Sequence, residues 1–426
     1  MSRAAPTWRW AVLLVPIATL PAWAAPGEVL PGASVDSLLE IARSRNPGFA
    51  ALRHEAAAAG ERVIPAGALA DPTLRIELEN ATNTGSIASP NLLPGRVGNA
   101  KYTFIQPLPF WGKRDLQHAL AAAEADQAEG RVTANWADLS ARIKSVYAMA
   151  YQANREIALT QEILDLVDTI ERTARTRYAN GLGSQQDVLR AQMEKSVLRG
   201  ELIEREAKQH HLHVLLNTLL HRPVAAPLAE PTRLRPLPSP AKLDSIELER
   251  QVAAKNPQLL IGQSKIDGAE KKRALIERNR YPDFAIGISP MQMRNRISEW
   301  GVMLEMNIPL QQESRRSRER EAAELLDAAR DQREATQSQL LGELSENLAA
   351  LDAAQRLEQL AETRLLPQAE LTFKAALAGY ENGKLDFTAL LEAQRQIRKA
   401  RLDQIKAQTE AQLRLADIER LLGEDL

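Results

Sequence analysis

Residues 143–167 read IKSVYAMAYQANREIALTQEILDLV, and apolar or small side chains recur there at alternating steps of three and four. This spacing predicts a coiled-coil seam on one side of a helix. No proline interrupts about 65 residues around it, which predicts a helix of roughly 100 Å. The seam positions are Ile143, Val146, Ala150, Ala153, Ile157, Thr160, Leu164 and Val167.

Shorter helices are predicted on both sides of this long one, over 34–63 and from about 184 to 220. A second long helix carries an apolar seam that includes Leu341, Leu344, Leu348 and Leu351. Pro367 interrupts that helix and predicts a kink there, because proline removes a backbone hydrogen bond.

The two halves of the chain carry the same ordered pattern of short motifs. The offset between matching positions stays between 200 and 210, so the halves are colinear. Several matches in one order predict an internal repeat, with a first copy over 25–221 and a second over 243–426. The matching segments are 45–47 (RNP) with 255–257 (KNP), 108–110 (LPF) with 308–310 (IPL), and 178–181 (YANG) with 380–383 (YENG).

Residues 222–242, between the two copies, contain six prolines. Such a density of prolines forbids a continuous helix. The segment is either a disordered linker or an ordered strap on the outside of the helices, and the strap is the preferred interpretation.

Residues 1–24 have the parts of a secretory signal peptide. Arg3 and Arg9 give a positive start, 10–20 is mostly apolar, and the small residues Ala22 and Ala24 precede the expected cleavage. The apolar run is shorter than the roughly 20 residues of a membrane-spanning helix. We therefore expect an exported protein without helical membrane spans.

The composition excludes several classes of function. The sequence has no cysteine, which excludes disulfides, cysteine metal sites and thiol nucleophiles. A formal net charge of -1 provides no basic excess for nucleic acid. No phosphate-binding glycine loop, Gly-x-Ser-x-Gly or His-Glu-x-x-His motif is present. We therefore expect neither an enzyme nor a cofactor.

Four segments alternate apolar with polar or small side chains, which predicts β-strands over 73–79, 101–106, 284–289 and 300–308. A soluble sheet would bury its apolar face on helices, whereas a transmembrane barrel would turn that face to lipid. The exported, helix-rich context favours the barrel. Its aromatic girdle would comprise Tyr102, Phe104, Phe110, Trp111 and Trp300.

Four strands cannot close a barrel, and open strand edges are not tolerated in lipid. The smallest spanning barrels need about eight strands, so at least two chains must share one. Each hairpin begins and ends in a helix. All helices therefore lie on the periplasmic side, and the loops over 80–100 and 290–299 face outside.

In this arrangement the chain resembles the TolC family of outer-membrane efflux proteins. The resemblance rests on Asn-Pro in both first helices (46–47, 256–257), the prolines before the strands (Pro72, Pro282), QPLPFWGKR (106–114), the tip turns (178–181, 380–383) and LLPQA (365–369). It implies a mainly α fold with a small β part. Four β-strands from each chain of a homotrimer would form a shared twelve-stranded transmembrane barrel above long periplasmic coiled-coil helices.

The resemblance also implies a function and partners. Such channels are passive ducts that work with a periplasmic adaptor (a membrane fusion protein) and an inner-membrane RND-type pump, in contact with outer-membrane lipid. Residues 109–114 (PFWGKR) are most similar to members that serve heavy-metal pumps of the cobalt-zinc-cadmium or copper-silver kind. Many of those relatives carry a lipidated cysteine, which this chain lacks, so anchoring would rest on the barrel.

Other functions stay open at this point. A duct for drug efflux or for type I protein secretion would share the same architecture. A soluble periplasmic coiled-coil scaffold is the alternative from another class, although adaptors carry a compact β-rich domain for which this sequence has too few strands.

The two tip turns are the predicted adaptor-docking sites. Gly181 and Gly383 permit tight connections between helices, and Leu182 and Leu385 are apolar residues expected to be exposed beside them.

The resemblance further implies a periplasmic gate of charged residues just past each turn. Asp187 and Glu392 match acidic positions of the family, whereas Arg190 and Ala389 depart from the acidic pattern. The ring would therefore be weaker, or formed by Asp187 and Glu392 together. Charges on a solvated helix face are the alternative.

Two clusters offer metal ligands. The first is His210, His211, His213 and His221, for which a solvated helix end is the preferred interpretation. Met291, Met293, Met303 and Met306 surround the second hairpin, where thioethers would suit copper or silver. Packing is the preferred alternative for the methionines, so no metal site is expected.

Overall fold

The computed structural model describes residues 30–79, 99–293 and 296–426. The predicted signal peptide and residues 80–98 of the predicted first loop lie outside these ranges. The first half contains α1 (Val35–Arg45), α2 (Pro47–Glu61), α3 (Val63–Gly67), β1 (Thr73–Glu79), β2 (Asn99–Leu108), α4 (Lys113–Ala179) and α5 (Gln185–Leu219). The second half contains α6 (Ser245–Lys255), α7 (Pro257–Arg278), β3 (Phe284–Met293), β4 (Arg296–Met306), α8 (Gln312–Leu360), α9 (Leu366–Glu381) and α10 (Phe387–Leu422).

The predicted long helix is confirmed as α4, which has 67 residues and is therefore about 100 Å long. Its seam is a packing surface, since Ile143, Ala153 and Val167 are fully buried. The corresponding helix of the second half is divided. Regular α-helix gives way to one π-helical turn at Ala361–Leu365, and Pro367 lies in the first turn of α9. A π turn is a common accommodation where a proline interrupts the hydrogen-bond ladder.

The helix predicted over 34–63 is wrong in one respect, because it is broken at Asn46. The Asn46 side chain accepts a hydrogen bond from the Phe49 amide at 3.0 Å, and Pro47 begins α2. An asparagine N-cap followed by proline starts a new helix. Asn256 caps α7 in the same way. Each asparagine also donates its amide to the end of the last long helix of its half, at Leu219 O (3.0 Å) and Leu421 O (2.8 Å).

Residues 222–242 lie against the helices. The Ala229 amide bonds Pro31 O at 2.9 Å, the Tyr147 hydroxyl of α4 donates to Arg233 O at 3.0 Å, and Gln412 of α10 donates to Arg235 O at 2.7 Å. These bonds connect the segment to both halves of the chain.

A buried group of charges lies beside that segment. Lys144 of α4 and Glu419 of α10, each with a side chain only 3% exposed, form an ion pair of 2.8 Å. Arg235 donates two hydrogen bonds to the same carboxylate at 3.0 and 2.9 Å. Lys144 also pairs with Asp425. This Lys144–Glu419 network joins α4, α10 and the proline-rich segment.

The four strands form one antiparallel sheet in the order β1-β2-β3-β4. One row across the sheet consists of Leu74, Phe104, Ile288 and Val302, which are register partners in sequence. All four are exposed, Val302 to 88%. The opposite face carries buried Thr103, Ile105 and Ser289. Within the described ranges β1 and β4 each pair on one side only, so both edges of the sheet are open.

The second hairpin is longer than predicted, because residues 290–293 and 296–299 of the predicted loop lie in strands. β3 continues to Met293 and β4 begins at Arg296, whereas β4 ends at Met306 and not at Ile308. Pro290 pairs with Trp300 of β4, but pairing with β2 skips residues 289 and 290. A proline fits inside this strand because its missing amide falls where the ladder to β2 is interrupted.

Candidate functional site

The two tip turns have the same backbone geometry. Gly181 and Gly383 have φ values of 70° and 72°, in the left-handed region that glycine adopts without strain. The amide after each turn returns to the preceding helix, Leu182 N to Arg177 O and Lys384 N to Gly379 O, both at 2.8 Å. The glycines therefore reverse the chain within a few residues.

Arg177 connects the two turns. It donates to Glu381 O at 2.6 Å and to Leu182 O at 3.0 Å, and its guanidinium lies 5.0 Å from the centre of the Tyr380 ring. Arg177 was not predicted as a site residue, because its partner Glu381 is distant in the sequence and no local signal marks its role.

Apolar side chains are exposed at these turns. Leu182 is 67% exposed, and Leu385, which rests on Gly379, is 44% exposed. Behind them a buried cluster that includes Ile170, Tyr380 and Phe387 holds the hairpins together. The tips thus present leucines on a rigid support.

The predicted gate residues occupy three different environments. Asp187 is half-buried in the first turn of α5. Burial is the largest cause that raises the pKa of Tyr380, and the Asp187 carboxylate raises it further, whereas Arg177 lowers it. Arg190 donates to the Thr388 hydroxyl of α10 at 2.5 Å.

Glu392 is exposed on α10. Within the described residues no hydrogen bond or ion pair joins Asp187, Arg190 and Glu392 to one another in a single chain. Any ring that they form must therefore be built between chains.

Ion pairs between α5 and α10 lie just behind the predicted gate. Glu194 pairs with Arg395 at 2.6 Å, and Glu201 with Arg398 at 3.0 Å. The hydrogen bond that Arg395 donates to Glu194 is the largest cause of the raised pKa of Arg395, and the charge of Glu392 is a smaller one. These residues were missed, although they are separated by nearly the repeat offset. Opposite charges near equivalent positions of the two copies were the signal.

A second group of charges lies inside the first helical hairpin. Lys195 contacts Asp168 at 2.5 Å and Glu171 at 2.8 Å. Its hydrogen bonds lower the pKa of both carboxyl groups, and they in turn raise the pKa of Lys195. The group is therefore charged at neutral pH and connects α4 to α5.

Residues 109–114 form the junction between sheet and helix. Asp283 accepts from the Phe110 amide and from Lys113 Nζ, both at 2.8 Å. Phe110 stacks on Tyr281 with ring centres 4.5 Å apart, and Gly112 has a φ of 80°. The motif therefore fixes the start of α4 against β3.

The histidine and methionine clusters are dispersed. The His213 ring nitrogen bonds Ala226 O at 2.9 Å. Met306 lies opposite Phe284 and Met303 opposite Gly287, whereas Met291 lies opposite Glu299. In the parts of the chain that the structure describes, no group of three or more His, Cys, Asp or Glu residues could hold a metal ion.

Across 30–79, 99–293 and 296–426, every helix is too short or too polar to cross a bilayer.

Comparisons with known proteins agree with this architecture. The chain is similar to the cobalt-zinc-cadmium resistance protein CzcC of Cupriavidus metallidurans, with 23% identity over 93% of this chain and 92% of that protein. It is similar in structure to CusC, with a TM-score of 0.78 and 16% identity over 92% of each chain. It is also similar to the outer membrane protein VceC of Vibrio cholerae, with a TM-score of 0.77 and 16% identity over 92% of this chain and 96% of that one.

A family model described as "Outer membrane efflux protein" matches residues 38–220 and 248–424, which together make up most of the chain. The two matched segments contain the two tip turns, and the first contains the PFWGKR junction. The chain therefore belongs to the outer membrane efflux protein family, as the resemblance to TolC-like channels implied.

Proposed function

We propose that this protein is one protomer of a homotrimeric, passive outer-membrane duct with no catalytic activity. The observation that carries the proposal is the sheet, which exposes an apolar row from Leu74 to Val302 and, among the described residues, leaves both edges open. Lipid contacts the apolar face of the sheet, and strands of neighbouring chains form the backbone hydrogen bonds at its two edges. The helices hang in the periplasm, and residues 222–242 form a strap around them.

The oligomeric state of the protein and its channel conductance together test this proposal. Native mass spectrometry of the detergent-purified protein should show a trimer, and planar bilayers should show channels. On α5 the exposed apolar residues Leu189, Met193 and Val197 form a stripe along the helix. We assign this stripe to contact between protomers. The substitution Met193→Glu places a charge in this stripe and should weaken the trimer. A folded monomer that conducts ions would contradict the proposal.

We further propose that the tips dock a periplasmic adaptor, which links the duct to an inner-membrane RND-type pump. Support comes from exposed Leu182 and Leu385 on the rigid turns. Gly181→Leu and Gly383→Leu force a side chain into the left-handed region, at a cost of about 1–2 kcal/mol, and should abolish export while trimers persist. Gly60→Leu is the matched control, because Gly60 lies in α2 with open space around it. Normal export with both tip variants would remove the tips from the docking surface.

The gate is proposed to comprise Asp187 and Glu392 from three chains, with Arg190 holding α5 to α10. Like charges around a narrow opening favour cations. The double replacement of Asp187 and Glu392 with Ala should reduce cation selectivity and the block by divalent cations from the periplasmic side. The matched control is Glu206→Ala, an exposed acid further along α5. Unchanged selectivity would show that the two carboxylates form only a solvated helix face.

Heavy-metal cations are the proposed cargo, since the similar CzcC is named for cobalt-zinc-cadmium resistance. Drug efflux and type I protein secretion are the alternatives within the same architecture. Deleting the gene should lower tolerance to cobalt, zinc or cadmium salts while tolerance to hydrophobic drugs stays unchanged. The opposite pattern would assign the duct to drugs. A protein recovered only in buffer, without membrane extraction, would instead favour a soluble periplasmic scaffold.

A further inference from the structure

An apolar groove lies where the sheet meets the helices. It has a volume of about 510 Å³ and is walled by strand residues that include Leu108, Phe284, Ile286 and Leu304, with Trp111 at its side. Volumes of roughly 300–1,000 Å³ are typical of sites for organic ligands. None of these residues takes part in the tips or the gate.

The groove continues directly into the exposed face of the sheet. Ile286 and Leu304 are register partners, and they lie next to the pair Ile288 and Val302. All four side chains are exposed. An apolar chain lying in the groove can therefore run on from Ile286 and Leu304 along Ile288 and Val302.

Two opposite charges line the same groove. Arg114 and Asp115 are consecutive residues in the first turn of α4. The Arg114 Nε donates to Gly67 O at 2.8 Å, which holds the guanidinium in place. Within the described ranges no hydrogen bond or ion pair is made by its two terminal amino groups or by the Asp115 carboxylate. Both charges are thus available to a ligand.

An apolar groove with one cation and one anion complements a specific chemistry. A zwitterionic phospholipid with a primary ammonium has an acyl chain, a phosphate and an ammonium group in that order. Arginine is suited to phosphate oxygens, and a carboxylate accepts hydrogen bonds from an ammonium. A purely anionic lipid would bring a second negative charge near Asp115.

We propose that this groove binds one phosphatidylethanolamine-type phospholipid, with its phosphate on Arg114, its ammonium on Asp115 and an acyl chain along Ile286 and Leu304. The inference rests on the proposed function, because lipid reaches the groove only if the sheet lies in a membrane. The bound lipid would seat the start of α4 at the membrane surface.

Native mass spectrometry with defined lipids tests the site. The purified protein is titrated separately with phosphatidylethanolamine, phosphatidylcholine and phosphatidylglycerol. Phosphatidylethanolamine should bind about tenfold more tightly than phosphatidylcholine, since a quaternary ammonium donates no hydrogen bond. Arg114→Gln should weaken all three lipids by about tenfold. Asp115→Asn should remove only the preference for phosphatidylethanolamine.

Arg316→Gln is the matched control, an exposed arginine in the first turns of α8, and should change nothing. Lipid binding by Arg114→Gln equal to that of the unmodified protein, or a preference for phosphatidylglycerol, would overturn the site. Planar-bilayer conductance of every variant separates the two proposals. Wild-type channels without the lipid preference would refute only the lipid site, whereas a protein that neither conducts nor binds any lipid would refute the duct itself.

Discussion

Replacing Lys144 with methionine is the sharpest test of how the two halves are held together. Met keeps most of the aliphatic stem and removes the ammonium that lies 2.8 Å from Glu419. The carboxylate stays buried, bonded by Arg235 through two hydrogen bonds. The variant thus loses the positive charge of the buried pair, while Arg235 still compensates part of the negative charge of Glu419.

Breaking a buried ion pair by removing one partner costs about 3–5 kcal/mol. Because Arg235 retains both bonds to Glu419, we expect about 3 kcal/mol, the low end of that range. The loss should appear in residues 419–426, which Lys144 joins to α4 through Glu419 and Asp425. Opening of this segment should therefore become on the order of 100-fold more frequent, at about 1.4 kcal/mol for each factor of ten.

Hydrogen–deuterium exchange of the purified oligomer measures that opening directly. The control is Lys255→Met, which removes an ion pair of similar length, 2.7 Å to Glu424, whose side chains are 54% and 50% exposed. An exposed pair contributes about 0–1 kcal/mol. The double variant Lys144→Met/Glu419→Leu should be less unstable than the sum of its single changes.

Two results would refute the reasoning. One is a loss of protection with Lys144→Met no larger than with Lys255→Met. The other is simple additivity in the double variant, which would mean that Lys144 and Glu419 do not interact energetically.

Three further predictions follow from single residues. Phe387→Ala should destabilise the tips by about 3–5 kcal/mol, because Phe387 is fully buried and packs edge-on against Tyr380 at 5.4 Å. The thermal midpoint measures this loss, and a smaller loss than for the exposed Leu371→Ala would contradict the prediction. Burial raises the pKa of Asp417, so its ionisation opposes folding as pH rises above the unfolded value of about 3.9. Asp417→Asn should therefore melt at a higher temperature than the wild type at neutral pH, and this gain should disappear below about pH 3.9. An equal gain in melting temperature at neutral and at acidic pH would exclude ionisation of Asp417 as the cause. Gly112→Ala should cost about 1–2 kcal/mol because of its φ of 80°, against no loss for Gly342→Ala, which has open space around it.

The regular parts of the fold follow from local patterns. The three-four spacing from Ile143 to Val167 predicts α4, since a proline-free amphipathic helix needs no distant information. Alternation within single strands similarly predicts β1 and the core of the other three. The family resemblance then supplied the arrangement of these elements, which periodicity does not determine.

The errors arise where one residue acts through a distant partner. Asn46 breaks the first helix by capping the second, and its role becomes clear only beside Leu219. Pro290 was interpreted as the start of a loop, but it is tolerated inside β3 because the neighbouring strand leaves a gap in pairing. Arg177 joins two turns that are separated by about 200 residues in sequence, so no local pattern identifies it. The charged pairs between α5 and α10 were accessible only by comparing the corresponding helices of the two repeats.

The two capping asparagines bear on how the molecule assembles in time. Each joins the start of its half to the far end, across 173 residues from Asn46 to Leu219 and 165 from Asn256 to Leu421. Contacts this distant in sequence slow folding, because the intervening chain must be ordered first. The first contact cannot form until the chain is complete as far as Leu219, and the second until it is complete as far as Leu421. Each half therefore closes on itself only once its last helix is present.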